Sequence, residues 1–128
     1  MSIAGNGIAH ITLTVTNVLK TKRFYEELFQ TTFEMDNKNS FSLLKVNIPC
    51  WFVQWSQNLE DKFDEKRVGL DHVAFELKTI SELEAVIQRL HEMKIANAGL
   101  QRFAGKYPYV AFRDPDNIQT EFFIPEEL

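Results

Sequence analysis

The chain has a single cysteine, Cys50, in 128 residues. No intramolecular disulfide is open to it, which fits a reducing compartment. It has no basic excess: 14 Lys and Arg stand against 18 Asp and Glu, for a net charge of −4. Non-specific nucleic-acid binding needs a basic footprint, so nucleic acid is not an expected partner. No run approaches the roughly 18 apolar residues of a spanning helix. The opening MSIAGNGIAH has no basic stretch followed by a long apolar one, so no signal peptide is expected. These absences point to a soluble, cytoplasmic protein.

What is plentiful is aromatic. Eleven Phe and two Trp, in a chain that is 45% hydrophobic and 25% charged, can supply a sizeable core. The length suits one domain or two small fused units.

The chain contains a repeat. A shift of 62 places lays LDHVAFELKTISELEAVIQRLH (70–91) on IAHITLTVTNVLKTKRFYEELF (8–29), with His72 under His10. Each copy reads as a strand followed by a helix. Val18, Thr21, Phe24, Tyr25, Leu28 and Phe29 keep a three-to-four spacing, as do Ile80, Leu83, Val86, Ile87, Leu90 and Met93. Asn17 suits an N-cap, and Thr79 with Glu82 matches a capping box. Strand-like runs follow each helix: 32–36, 41–47 and 50–55, then 98–102, 107–112 and 119–124. The expected class is α+β, with βαβββ written twice: repeat unit 1 (7–56), a charged linker (57–69) and repeat unit 2 (70–125), together one domain. DPDN (114–117) is a strong turn signal.

Side chains alternate faces along a strand. In GIAHITLTV, Ile11, Leu13 and Val15 share an apolar face, and His10, Thr12 and Thr14 share the other. In DHVAFEL, Val73, Phe75 and Leu77 oppose His72, Ala74 and Glu76. In the last strand Ile118, Thr120, Phe122 and Ile124 oppose Gln119, Glu121 and Phe123. An unpaired Glu121 in so apolar a strand would cost several kcal/mol. His10, His72 and Glu121 together match a 2-His-1-carboxylate set, which leaves metal positions open for substrate. Structural readings stand beside it: His72 bonded to a backbone carbonyl, and Glu121 paired with Arg102 or Arg113. Glu76 and His91 read as solvated and Cys50 as core. Lys45, Arg102 and Lys106 could meet an anionic substrate.

The doubled unit, with IAHITLTVTNVLKTKRFYEELF, LDHVAFEL and YVAFRDPDNIQTEFF, resembles the vicinal oxygen chelate superfamily. Its members include glyoxalase I, extradiol dioxygenases, fosfomycin thiol transferases and bleomycin-resistance proteins. The resemblance spans essentially the whole chain. It implies a cupped mixed sheet built from the two units, with metal ligands at His10, His72 and Glu121. It also implies one divalent ion per site (Fe, Mn, Ni, Co or Zn) and, as in many small members, a homodimer in which His10 of one chain meets His72 and Glu121 of the other.

The implied chemistry is an isomerase/lyase or dioxygenase reaction on a small oxygen-rich molecule held by two adjacent oxygens. Thr12, Tyr107 and Tyr109 are the candidate orienting hydroxyls. Trp51, Trp55 and Phe123 are candidates for an apolar substrate wall. The chain departs from some members. Trp51 stands where glyoxalase I adds a carboxylate. Ala111 stands where fosfomycin thiol transferases carry a tyrosine, with Tyr109 two places away on the same face. The alternatives are a fosfomycin-type thiol transferase, a non-catalytic small-molecule binding protein of the bleomycin-resistance type, and a structural dimer with a vestigial site.

Overall fold

A computed structural model describes residues 1–43, 47–55 and 58–128. The order is β1 (Ile11–Thr14), α1 (Val18–Phe29), β2 (Met35–Asn37), β3 (Ser40–Leu43), β4 (Cys50–Val53), then β5 (Val73–Glu76), α2 (Ile80–Glu92), β6 (Gln101–Phe103), β7 (Tyr107–Arg113) and β8 (Gln119–Phe123). This is the doubled βαβββ, an α+β fold. Each unit forms a four-stranded mixed sheet, ordered β1-β4-β3-β2 and β5-β8-β7-β6. In each, the first and last strands pair in parallel and the others are antiparallel.

The expected helices form where their caps put them. Asn17 accepts a hydrogen bond from the Lys20 N–H, and Thr79 from the Glu82 N–H. These side chains satisfy backbone donors that a helix start leaves unpaired. Strand edges moved more. The run expected at 32–36 pairs only from Met35, and that at 98–102 only from Gln101. Part of the run at 41–47 and the start of the linker lie outside the described residues.

The apolar stripe of α1 lies between the two sheets. Tyr25 packs its ring 4.9 Å from Phe52 of β4 and 6.1 Å from Phe75 of β5. Phe29 reaches Phe75 and Phe122, and Phe24 reaches Phe112. Phe41, Phe52 and Phe122 are almost wholly buried. Burial of each such ring contributes about 2–3 kcal/mol. Arg89 of α2 donates to the carbonyl of Leu28, near the end of α1, where carbonyls lack helical partners.

The DPDN turn clasps the units together. Asp114 accepts from the N–H groups of Asp116 and Ile118, both at 2.9 Å. Tyr25 of α1 donates its hydroxyl to the other Asp114 oxygen at 3.3 Å. Asp116 accepts from the N–H and hydroxyl of Thr16, which precedes α1. The described part of the linker is pinned to this turn as well. Phe63 N–H donates to Asp116 O, and the Asn117 amide to Phe63 O.

Burial pushes the Asp114 carboxyl up to about 6, with the Asp116 charge adding to the rise and the hydrogen bonds opposing it. A carboxyl raised from 3.8 to about 6 binds more protons folded than unfolded. Its stabilising contribution is therefore full below pH 3.8 and lost as pH rises through 6, a swing of roughly 3 kcal/mol at most. Asp114→Asn keeps the acceptor oxygen and carries no charge. Urea unfolding of both proteins from pH 4 to pH 7.5 should show the variant gaining on wild type as pH rises to about 6 and levelling off above it. A stability difference independent of pH would refute this assignment.

Candidate functional site

The two histidines sit one residue ahead of β1 and β5. His10 and Thr12 are exposed, while Leu13 and Val15 are buried, as the alternation requires. The His10 ring stands 5.0 Å from Trp51, edge to face. Thr12 is the register partner of Trp51 on β4. Trp55 lies two residues beyond β4 and is 79% exposed. His10, Thr12 and Trp51 make one cluster, on the outward face of the first sheet, and Trp55 lies towards the other end of the β1–β4 pair.

The second cluster is on the outward face of the second sheet. His72 Nε2 is 3.8 Å from Glu121 Oε1, and the Glu121 side chain is only 16% exposed. That gap exceeds a hydrogen bond of about 3.2 Å and lies within the reach of two metal bonds of about 2.1 Å. Ala74 and Ala111 are the register partners of Glu121 on its two sides. Both are small side chains. One step further along β8, Phe123 meets Tyr107, Tyr109 and Phe103 at 6.0–6.3 Å.

A neutral imidazole beside a carboxylate is a donor set suited to a divalent cation, but it is one ligand short of the usual three. Among the described residues, no group of three or more His, Cys, Asp or Glu side chains could hold a metal. A single chain thus brings His72 and Glu121 together and leaves His10 with Trp51.

The alternative reading, Glu121 paired with Arg102 or Arg113, does not hold among the described residues. Arg113 lies opposite Gln119, two places from Glu121, and its fork holds Glu65 at 2.6 and 3.0 Å. That bond holds the Glu65 carboxyl down at about 2. Arg102 is on β6, with β7 between it and β8, and donates to the carbonyls of Lys106 and Leu128. Lys106 pairs with Glu127. Lys45 lies outside the described residues. Glu76 and His91 are exposed, as expected.

Sequence reasoning passed over Asp71, whose carboxylate meets His72 Nδ1 at 2.7 Å, and Gln119, which touches Asp71. The signals were the Asp-His pair itself and the place of Gln119 on the Glu121 face. A cavity of about 290 Å³ lies elsewhere, between residues 58–70 and the Thr14–Thr16 stretch, and holds none of the candidate residues.

The profile of the Glyoxalase/Bleomycin resistance protein/Dioxygenase superfamily matches residues 7–122. The chain belongs to this superfamily. No curated protein sequence matches it. Among solved structures it is similar to a glyoxylase/bleomycin resistance protein/dioxygenase domain from Frankia sp. EAN1pec. That likeness has a TM-score of 0.80 and 25% identity, over 94% of this chain and 98% of the other. It is similar to lactoylglutathione lyase from Agrobacterium tumefaciens (TM-score 0.72, 14% identity, 94% and 95% covered). It is also similar to a variant of the fosfomycin resistance protein FosX from Listeria monocytogenes, complexed with Mn(II) and 1S,2S-dihydroxypropylphosphonic acid (TM-score 0.70, 21% identity, 93% and 90% covered). The superfamily contains enzymes that act on small molecules. Among the described residues, no helix is long and apolar enough to cross a membrane.

Cys50 is not part of either cluster. It is 2% exposed, and burial pushes its thiol up to about 12, so it is neither a nucleophile nor a thiolate ligand. A thiol reagent at pH 8 should leave native protein unlabelled and modify one thiol per chain in denaturant. Rapid labelling of native protein would contradict this burial.

Proposed function

We propose that the chain works as a homodimer in which His10 of one protomer joins His72 and Glu121 of the other around one divalent metal ion (Fe, Mn, Ni, Co or Zn). The assembled centre is an enzyme acting on a small oxygen-rich molecule, by a lyase/isomerase or dioxygenase reaction. The observation that carries this reading is the His72–Glu121 pair, 3.8 Å apart on an outward sheet face and reached by no arginine. His10 occupies the matching place in the first unit, also outward and exposed. Each cluster has what the other lacks, and a two-fold dimer would complete both at once. The Mn(II)-bound FosX structure supports the kind of ion.

When bound, the ion supplies Lewis acidity that stabilises charge developing on two adjacent substrate oxygens. Two neutral imidazoles and one carboxylate leave the centre net positive. Tyr107, Tyr109 and Thr12 offer hydroxyls to orient the substrate. Phe123, Trp51 and Trp55 exclude water, which strengthens the electrostatic terms inside. Ala111 leaves open the space beside Glu121, so the nearest phenol on that strand face is Tyr109, two places along. This argues against a fosfomycin-type thiol transfer that uses a tyrosine at position 111.

The test is metal content by mass spectrometry, on tag-free protein purified without chelator. We expect about one metal per chain in wild type and none in His10→Ala or Glu121→Gln. When the two metal-free variants are mixed and reassorted, one of the two sites in each heterodimer is intact, so about a quarter of the wild-type metal should return. No recovery would refute the shared site. No metal in wild type, with no thermal stabilisation by any of the five ions, would refute the metalloenzyme and favour a binding protein.

A further inference from the structure

A chain of side-chain hydrogen bonds runs into His72 from behind. Glu65, in the segment between the units, takes both ends of the Arg113 fork. Arg113 Nη2 also donates to Gln119 Oε1 at 3.2 Å. Gln119 Nε2 donates to Asp71 Oδ1 at 3.4 Å, and the same oxygen lies 2.7 Å from His72 Nδ1. His72 Nε2 is the nitrogen that faces Glu121.

Donor and acceptor roles in this chain are fixed chemically. A guanidinium only donates, so the Gln119 oxygen must face it. An ionised carboxylate only accepts, so Gln119 must turn its NH₂ to Asp71. By the same rule the proton of the Asp71–His72 bond belongs to Nδ1. A neutral ring with its proton on Nδ1 keeps a lone pair on Nε2, towards Glu121. A histidine ligand needs that state, and the group bonded to its other nitrogen selects it. A free imidazole side chain in water prefers the opposite tautomer, with the proton on Nε2, so the preference must come from the surroundings.

We infer that Asp71 is a positioning residue that holds His72 in the Nδ1–H tautomer with Nε2 free to bind metal, and that Glu65, Arg113 and Gln119 hold Asp71 in place. The role towards metal rests on the proposed function above; the tautomer does not. Because Glu65 belongs to the segment joining the two units, the joint between the repeats also steadies one ligand of the site. Arg113 has a second anchor, donating to the carbonyl of Asn117 in the DPDN turn at 3.2 Å.

The tautomer can be read on ¹⁵N-labelled, chelator-treated full chain by long-range ¹H–¹⁵N spectra at pH 8.5, where an ordinary imidazole is neutral. The His72 signals are assigned by their loss in His72→Gln. Wild type should show the Nδ1–H pattern for His72 and the Nε2–H pattern for exposed His91. Asp71→Ala should switch His72 to the Nε2–H pattern, and Asp71→Asn, which keeps an acceptor oxygen, should restore part of the Nδ1–H form. Zn²⁺ affinity by dye competition should fall roughly 10–100-fold in Asp71→Ala, with Asp71→Asn between it and wild type and Gln119→Leu weakened less than Asp71→Ala. Unfolding midpoints of the same variants check that the fold is kept. An Nε2–H pattern for His72 in wild type, or an Asp71→Ala variant unchanged in both pattern and affinity, would overturn the inference. An Nδ1–H pattern that depends on Asp71, in a protein that binds no metal, would uphold the positioning of His72 and refute the metalloenzyme reading alone.

Discussion

Each sheet of this molecule has one apolar face, and one chain carries enough helix to cover only that face. The stripe of α1 is taken up by Phe52, Phe75, Phe112 and Phe122, from both sheets at once. Side chains that alternate away from this core keep some exposure: His10 and Thr12 are exposed, and Glu121 and Phe123 are partly so. The candidate site therefore lies on the side away from this core, where the proposed dimer would complete it.

The core and the outward face meet at one short turn. Asp114 and Asp116 are both buried carboxylates, and each is hydrogen-bonded. Asp114 is held by backbone N–H groups of its own turn and by the Tyr25 hydroxyl, and Asp116 by Thr16. Unpaired buried carboxylates would be costly, so Thr16 and Tyr25 of the first unit offset the burial that docking imposes on this turn. The same stretch carries Arg113 and Gln119, which connect to Asp71 and His72. The bonds that dock the units and those that lead to a candidate ligand thus start from one stretch of chain.

Much of this could be read from the residues. The shift of 62 places that lays His72 under His10 found the two units, because two copies of one structure keep the same apolar spacing. Period-two alternation found the buried and outward sides of β1, β5 and β8, because a one-residue change of register would turn Phe122 outward and Glu121 into the core. Asn17 and Thr79 marked both helix starts, because a cap acts on donors two or three residues away. Edges such as β2 and β6 were harder to place. Their limits depend on where a neighbouring strand stops pairing, as at Met35 and Gln101.

The sequence by itself determined the doubled βαβββ and the core, and it offered three candidate metal ligands, since all of these rest on local periodicity and residue chemistry. Only the tertiary structure decided how those three are grouped: His72 with Glu121, and His10 apart beside Trp51. It alone also decided that Arg113 goes to Glu65 and that Gln119 reaches Asp71. Such pairings join residues up to about fifty places apart in the chain. They are set by strand register and by how the segment between the units lies across the second sheet, and no local pattern encodes either.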